Sequence, residues 1–153
     1  MKIVIQSSDF DVGDELLQLR KAHRQTGAIV SFVGTVRDAV RADELNQPVL
    51  QMELEHYPGM TEKSLTNIAQ QAFRRWQLND VVIIHRVGVL TVSEQIVLVA
   101  VASQHRDTAF LACEFIMDYL KTEAPFWKKE TGEHGSEWVD ARSTDVSALE
   151  KWK

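Results

Sequence analysis

Pro125 constrains this chain more than any other residue. It interrupts the run FIMDYLKTEAPFWKKE (residues 115–130), whose first half has helical periodicity. Proline has no N–H to continue a helix, and it pushes the preceding Ala124 toward an extended backbone. Lys121 therefore belongs on the last turn of a helix, and Lys128 on the extended segment that follows. A helix that turns straight into a strand folds back on itself, so lysines seven positions apart can reach one cleft.

The elements around this corner are legible from periodicity. Lys2–Gln6 alternates as a strand. Asp11–His23 carries Val12, Leu16, Leu17 and Leu19 on an amphipathic helix. GAIVSFVGTVR from Gly27 reads as a mostly buried strand ending at Arg37, with Gly34 marking a bulge or a close backbone approach. Residues 38–48 are polar and aperiodic, so they form a loop. Val49–Tyr57 is a strand, and Pro58-Gly59 a turn. Met60–Trp76 is a helix with Leu65, Ile68, Ala69, Ala72, Phe73 and Trp76 on one face. VVIIHRVGVL after Asp80 reads as one buried strand, with EQIVLVAVAS (94–103) as its neighbour. Arg106–Thr122 is a second strong helix with Ala109, Cys113, Ile116, Met117 and Leu120 buried. Phe126–Thr131 and Glu137–Ala141 form a terminal strand pair, and Ser143–Lys153 a short helix docked through Leu149 and Trp152.

The resulting order, β-α-β-β-α-β-β-α-β-β plus a short helix, is α+β with a mainly antiparallel or mixed sheet. No linker or repeat divides the 153 residues, so they read as a single domain, 1–153. No apolar run reaches the roughly 20 residues of a membrane span. The N-terminus is too short and polar for a signal peptide, and a cytoplasmic location is the expectation. A single cysteine, Cys113, excludes an internal disulfide and a cysteine-rich metal site. The net charge of −5 argues against general nucleic-acid binding. A local cluster of cations in such an acidic chain points instead to a small anionic ligand.

Several residues are candidates for that cluster. Gln104-His105-Arg106 stands where a buried strand hands over to a helix. Ser103 is placed to cap the helix, and free N–H groups beside His105 and Arg106 would hold an anion. The plainer reading makes Arg106 and Asp107 first-turn surface charges. Arg37 and Arg142 each follow a strand, where an arginine is ordinarily solvated. Lys128 shares a strand face with Phe126 and Glu130, and Trp127 shares the other with Lys129. Trp127 between lysines stacks on a planar ring or packs as core, and core is the default. His85 reads as a hydrogen-bonded sheet histidine, and Cys113 as a small core residue. Spacing alone thus reaches a globular α+β domain with scattered cations that converge only if the fold brings them together.

Five blocks carry a resemblance: FVGTVR (32–37), LEHYPGMTEKSL (54–65), VIIHRVGVL (82–90), SQHRDTAF (103–110) and FIMDYLKTEAPFWKKE (115–130). Together they are similar to the large, catalytic subunit of molybdopterin synthase, the MoaE family, over nearly all of residues 29–142. The resemblance implies an α/β hammerhead-type fold with an added small antiparallel subdomain. It implies conversion of cyclic pyranopterin monophosphate (precursor Z) into molybdopterin. Sulfur would come from the C-terminal Gly-Gly thiocarboxylate of a small ubiquitin-like sulfur-carrier subunit. It also implies a homodimer that forms a heterotetramer with two small subunits, with no metal or other cofactor required.

By motif position, the functional lysines of the family fall on Lys121 and Lys128. Substrate-binding positions fall on Thr35, Val36, Arg37, His105, Arg106, Lys129 and Glu130. Arg142 matches the arginine that reaches the pocket from the other subunit of the dimer. Phe32 and Met117 match pocket-lining positions. A phosphoester hydrolase using His105, and a non-catalytic module that binds a pterin or a ubiquitin-like tail, are the competing readings.

Overall fold

The computed structural model describes residues 1–38, 49–132, 135–139 and 143–153. Eight strands and the helices between them run in the order β1 (Lys2–Gln6), α1 (Val12–Ala22), β2 (Ala28–Thr35), β3 (Val49–His56), α2 (Met60–Trp76), β4 (Asp80–Arg86), β5 (Gly88–Thr91), β6 (Gln95–Ser103), α3 (Arg106–Glu123), β7 (Phe126–Gly132), β8 (Gly135–Val139) and α4 (Ser143–Ala148), with a final 3-10 turn over Leu149–Trp152. The strands form two four-stranded sheets, β1-β4-β6-β2 and β5-β3-β7-β8. The first is mixed, with β1 parallel to β4 and the other pairs antiparallel. The second is antiparallel throughout. This is the α+β architecture expected from the strand-rich element order.

The first sheet is covered on both faces, which is why its central strands are apolar without alternation. Val82 and Ile84 of β4 and Leu98, Ala100 and Ala102 of β6 pack with Leu19 of α1 and Phe10. Val81 and Ile83, with Val97, Val99 and Val101, face the opposite way onto α2 and α3. There Leu65, Ile68, Ala69 and Ala72 meet Ala112, Cys113, Phe115, Ile116 and Met117. A smaller core of Val36, Met52, Leu54 and Leu90 lies at the second sheet, with Ile96 against it.

Two sequence expectations need correction. The run after Asp80 is not one strand. It breaks at Val87, and Gly88 takes a φ of 92°, a conformation a side chain would strain. The chain thereby leaves the first sheet at Arg86 and joins the second through β5, which pairs with β3. Apolar content continues across the break, so periodicity alone hides it. The strand β2 is also less buried than its composition implies. It is an edge strand, and Phe32 is 39% exposed. The register shift in β2 falls between Gly34 and Thr35, at the anticipated bulge.

The C-terminal segment docks as expected. Trp152 is buried, and its indole Nε1 donates to Asp118 at 2.7 Å. Arg75 donates twice to the carbonyl of Trp152, at 3.1 and 3.0 Å, while its guanidinium lies over the rings of Trp76 and Phe115.

Candidate functional site

The corner at Pro125 forms as its sequence dictates. The helix α3 ends at Glu123, and Ala124 is extended with φ −77° and ψ 126°. β7 begins at Phe126. Lys121 stands exposed in the last turn of α3. Its charge is close enough to act on the buried imidazole of His85.

Lys128 reaches the same region from β7. Across the second sheet it pairs with Leu54 on one side and Val139 on the other. Strand alternation puts Phe126, Lys128 and Glu130 on the face shared with Met52 and Leu54, the face that packs around Val36. Lys128 and Glu130 form an ion pair at 2.9 Å. Lys129 and Trp127 take the opposite face. Lys129 lies 5.7 Å from the ring centroid of Trp138 and so points away from Lys128. Trp127 is 47% exposed, not core, and with Glu55 and Trp138 it lines an open cleft of about 440 Å³.

Arg37 joins this end of the molecule through β2. The strand runs antiparallel to β6, so Thr35 lies opposite Gln95, where β6 starts. The helix α3 follows the other end of β6 and packs back across β6 and β2, which brings its C-terminal turns toward Thr35, Val36 and Arg37. Val36 is buried, its N–H donating to the carbonyl of Glu94 at 2.9 Å. Its side chain serves the small core, and its anchorage aims the exposed Arg37 that follows. Met117 is buried one turn before Lys121, and Phe32 lies opposite Val99 on the β2 edge.

His105 and Arg106 are elsewhere. His105 is the N-cap of α3 and Arg106 its first residue, so the whole helix separates them from Lys121. With a rise of 1.5 Å per residue that separation is about 22 Å. They line an open pocket of about 550 Å³ with Gly27, Ala28, Gln104 and Asp107. Ser103 does not cap the helix backbone. Its hydroxyl is 2.6 Å from that of Thr108, which donates to the carbonyl of His105 at 3.0 Å. The first-turn N–H groups of α3 have no side-chain cap, which leaves an anion-binding end.

Gly27 is a site residue that sequence reasoning missed. A Cβ there would sit 2.3 Å from the carbonyl oxygen of Gln104, and its N–H donates to Ser103 at 3.0 Å. Only glycine lets β2 pass this close to the turn that presents His105 and Arg106. Its place directly before an apolar strand was the available signal. Arg142 lies outside the described residues, as do residues 39–48 of the loop expected over 38–48.

Two buried groups are set by their surroundings. Burial holds the His85 imidazole down at about 4, against the pull of the Arg86 carbonyl it bonds, and the charges of Lys121 and His56 push the same way as burial. Burial pushes the Cys113 thiol up to about 11, and the neighbouring Glu114 carboxylate adds to it. Among the described residues, no group of three His, Cys, Asp or Glu side chains converges as metal ligands would. No described helix is long and apolar enough to cross a membrane.

Comparison with known proteins gives a consistent result. A family model described as MoaE protein matches residues 5–123. A relative from Ralstonia nicotianae named molybdopterin synthase catalytic subunit is 59% identical over 150 residues, covering 98% of this chain and 83% of its own. The solved structure of a molybdopterin biosynthesis MoaE protein from Burkholderia ambifaria superposes with a TM-score of 0.82 at 55% identity, covering 99% of this chain and 98% of its own. A molybdopterin synthase structure from Staphylococcus aureus superposes with a TM-score of 0.81 at 33% identity, covering 92% and 98%.

Proposed function

The chain belongs to the MoaE family of molybdopterin synthase catalytic subunits, and on that premise we propose that it converts cyclic pyranopterin monophosphate into molybdopterin. Sulfur comes from the C-terminal thiocarboxylate of a small ubiquitin-like partner. Residues 1–153 act as one catalytic domain, working in the cytoplasm. What supports the site assignment is that Lys121 ends α3 and Lys128 stands on β7, on either side of the Pro125 corner, with the Lys121 charge acting on the His85 ring that stacks on Phe126.

The chemistry asks for such a corner. A thiocarboxylate sulfur forms a bond to a side-chain carbon of the pterin, the carbon–oxygen bond breaks, and the leaving oxygen takes a proton. Water then cleaves the acyl–sulfur bond, leaving the sulfur on the pterin and a carboxylate on the partner tail. A second thiocarboxylate delivers the second sulfur the same way. Substrate and partner tail are both anionic, so they repel each other unless cations hold them. Lys121, in the last turn of α3, is the group that gives the proton. Lys128 holds the developing negative charge, kept in place by Glu130. Phe32 and Met117 line the approach, and Thr35 and Arg37 close it at the end of β2.

His105 and Arg106 bind the phosphate at the uncapped end of α3. The helix rise of about 22 Å between that end and Lys121 leaves them out of a common cleft within one protomer. In the homodimer, one protomer supplies Lys121 and Lys128, and its partner supplies the anion-binding end together with Arg142. Cys113, buried and protonated, has no part in sulfur transfer.

The test is a single-turnover reaction of the purified chain with thiocarboxylated partner and cyclic pyranopterin monophosphate. Dithiolene product that requires both proteins supports the synthase reading. Tight partner binding without product supports the binding-module reading, and turnover without a partner supports a hydrolase.

A further inference from the structure

Two polar side chains inside the fold grip the corner between the lysines, one from α2 and one from β4. Thr61 has 0% exposed surface. Its Oγ1 donates to the carbonyl of Pro125 at 2.9 Å and accepts the N–H of Tyr57 at 3.0 Å. One hydroxyl thus ties the turn before α2 to the turn after α3. A buried hydroxyl is costly unless bonded, and this one satisfies two backbone groups that have no strand partner.

His85 grips the next residue. Val81, Ile83 and His85 share the face of β4 that looks onto α2 and α3, and His85 is the last of them. Its ring lies flat on Phe126, centroids 3.8 Å apart and planes 17° from parallel. Its Nδ1 is 2.8 Å from the carbonyl oxygen of Arg86. A carbonyl only accepts, so Nδ1 carries the proton and the neutral ring keeps a bare Nε2. An uncharged aromatic ring therefore floors the corner beside the ammonium of Lys121.

We propose that Thr61 and His85 are the positioning residues of the synthase reaction: they fix Pro125 and Phe126, and so set the directions in which Lys121 and Lys128 leave the corner. This rests on the roles assigned above to those lysines. Pro125 and Phe126 lie between the two lysines in sequence. Any slack there moves Lys121 and Lys128 relative to each other, and reacting groups displaced by about 1 Å lose on the order of a hundredfold in rate.

The test uses the chain in complex with its thiocarboxylated partner, as Thr61→Val, Thr61→Ser, His85→Leu and His85→Phe. Single-turnover rate and partner affinity are measured together with acetic anhydride labelling of the Lys121 amine, referenced to the exposed Lys63 of α2. Thr61→Val and His85→Leu should slow turnover roughly tenfold or more and change Lys121 labelling about threefold, with partner affinity unchanged. Thr61→Ser restores the hydroxyl and His85→Phe the stack, so both should stay within about threefold of the parent on each readout. Undiminished turnover in folded Thr61→Val and His85→Leu would overturn the proposal, as would a loss that Thr61→Ser and His85→Phe fail to repair. A Lys121→Ala control that turns over normally would instead assign the failure to the reading of Lys121.

Discussion

Arg106 and Lys121 mark the two ends of one helix, Arg106 as its first residue and Lys121 in its last turn. About 22 Å of helix rise lies between them. Both are cations expected at one small ligand, and a single protomer keeps them apart. On the proposed function, a ligand that meets both cations takes them from two protomers.

The two faces of β7 predict a sharp difference between adjacent lysines. Lys121→Ala should cut the single-turnover rate by about a hundredfold or more, as loss of a proton donor does. Lys128→Ala should cost on the order of ten- to a hundredfold through lost charge stabilisation. Lys129→Ala, on the outer face beside Trp138, should stay within about threefold. Rapid-quench kinetics with saturating partner checks all three, and equal losses at Lys128 and Lys129 would refute the facial assignment.

The neutral His85 predicts how stability depends on pH. Burial keeps it near 4 in the folded chain, while its ordinary value is 6.5. Between those values the unfolded chain binds a proton that the folded chain refuses. Stability should therefore fall as pH drops from 6.5 toward 4, by roughly 3 kcal/mol at most from this group. His85→Phe should flatten that part of the curve. Urea melts of both proteins across the range measure it, and an unchanged slope would contradict the neutral buried ring.

Cys113 should behave as a core atom. At 5% exposure, with its thiol pushed up to about 11, it has little thiolate at neutral pH. A thiol reagent such as DTNB should leave the folded chain unmodified at pH 8 and titrate one thiol in denaturant. Fast native reaction would reopen a role for this sulfur.

The C-terminal clasp should contribute to stability but not to turnover. Trp152→Ala removes a buried ring packed on Trp76 and Phe115, and the bond to Asp118. The expected loss is about 3 kcal/mol, read as a lower denaturant midpoint. The single-turnover rate of the fraction that stays folded should be unchanged.

The parts of this fold that sequence made visible are those where local chemistry and tertiary structure agree. Pro125 ended α3 and began β7 as its ring demands. The stripe through Leu65, Ile68 and Ala72 predicted the face that α2 buries. The split at Gly88 was hidden because apolar residues continue across it, and only the backbone angle separates the two sheets. Aromatics usually pack as core, yet the strand that carries Trp127 turns its face outward. Arg86 shows the reverse: a charged residue in an apolar run is buried, with its guanidinium on the carbonyls of Ser7 and Gln95. The separation of Arg106 from Lys121 is legible once both stand on one helix, since the rise of about 1.5 Å per residue fixes it. What each end meets, Gly27 at one and His85 at the other, emerges only from the folded chain.

Subunit exchange tests the central claim most directly. Lys121→Ala and Arg106→Ala chains would be purified separately, each inactive or nearly so, then mixed under conditions that exchange subunits, and assayed with thiocarboxylated partner and cyclic pyranopterin monophosphate. If each site takes Lys121 from one protomer and Arg106 from the other, every mixed dimer holds one intact site. Activity should then rise to roughly a quarter of the unsubstituted rate at full exchange. No recovery in dimers confirmed to be mixed would contradict the shared site and return both groups to a single protomer.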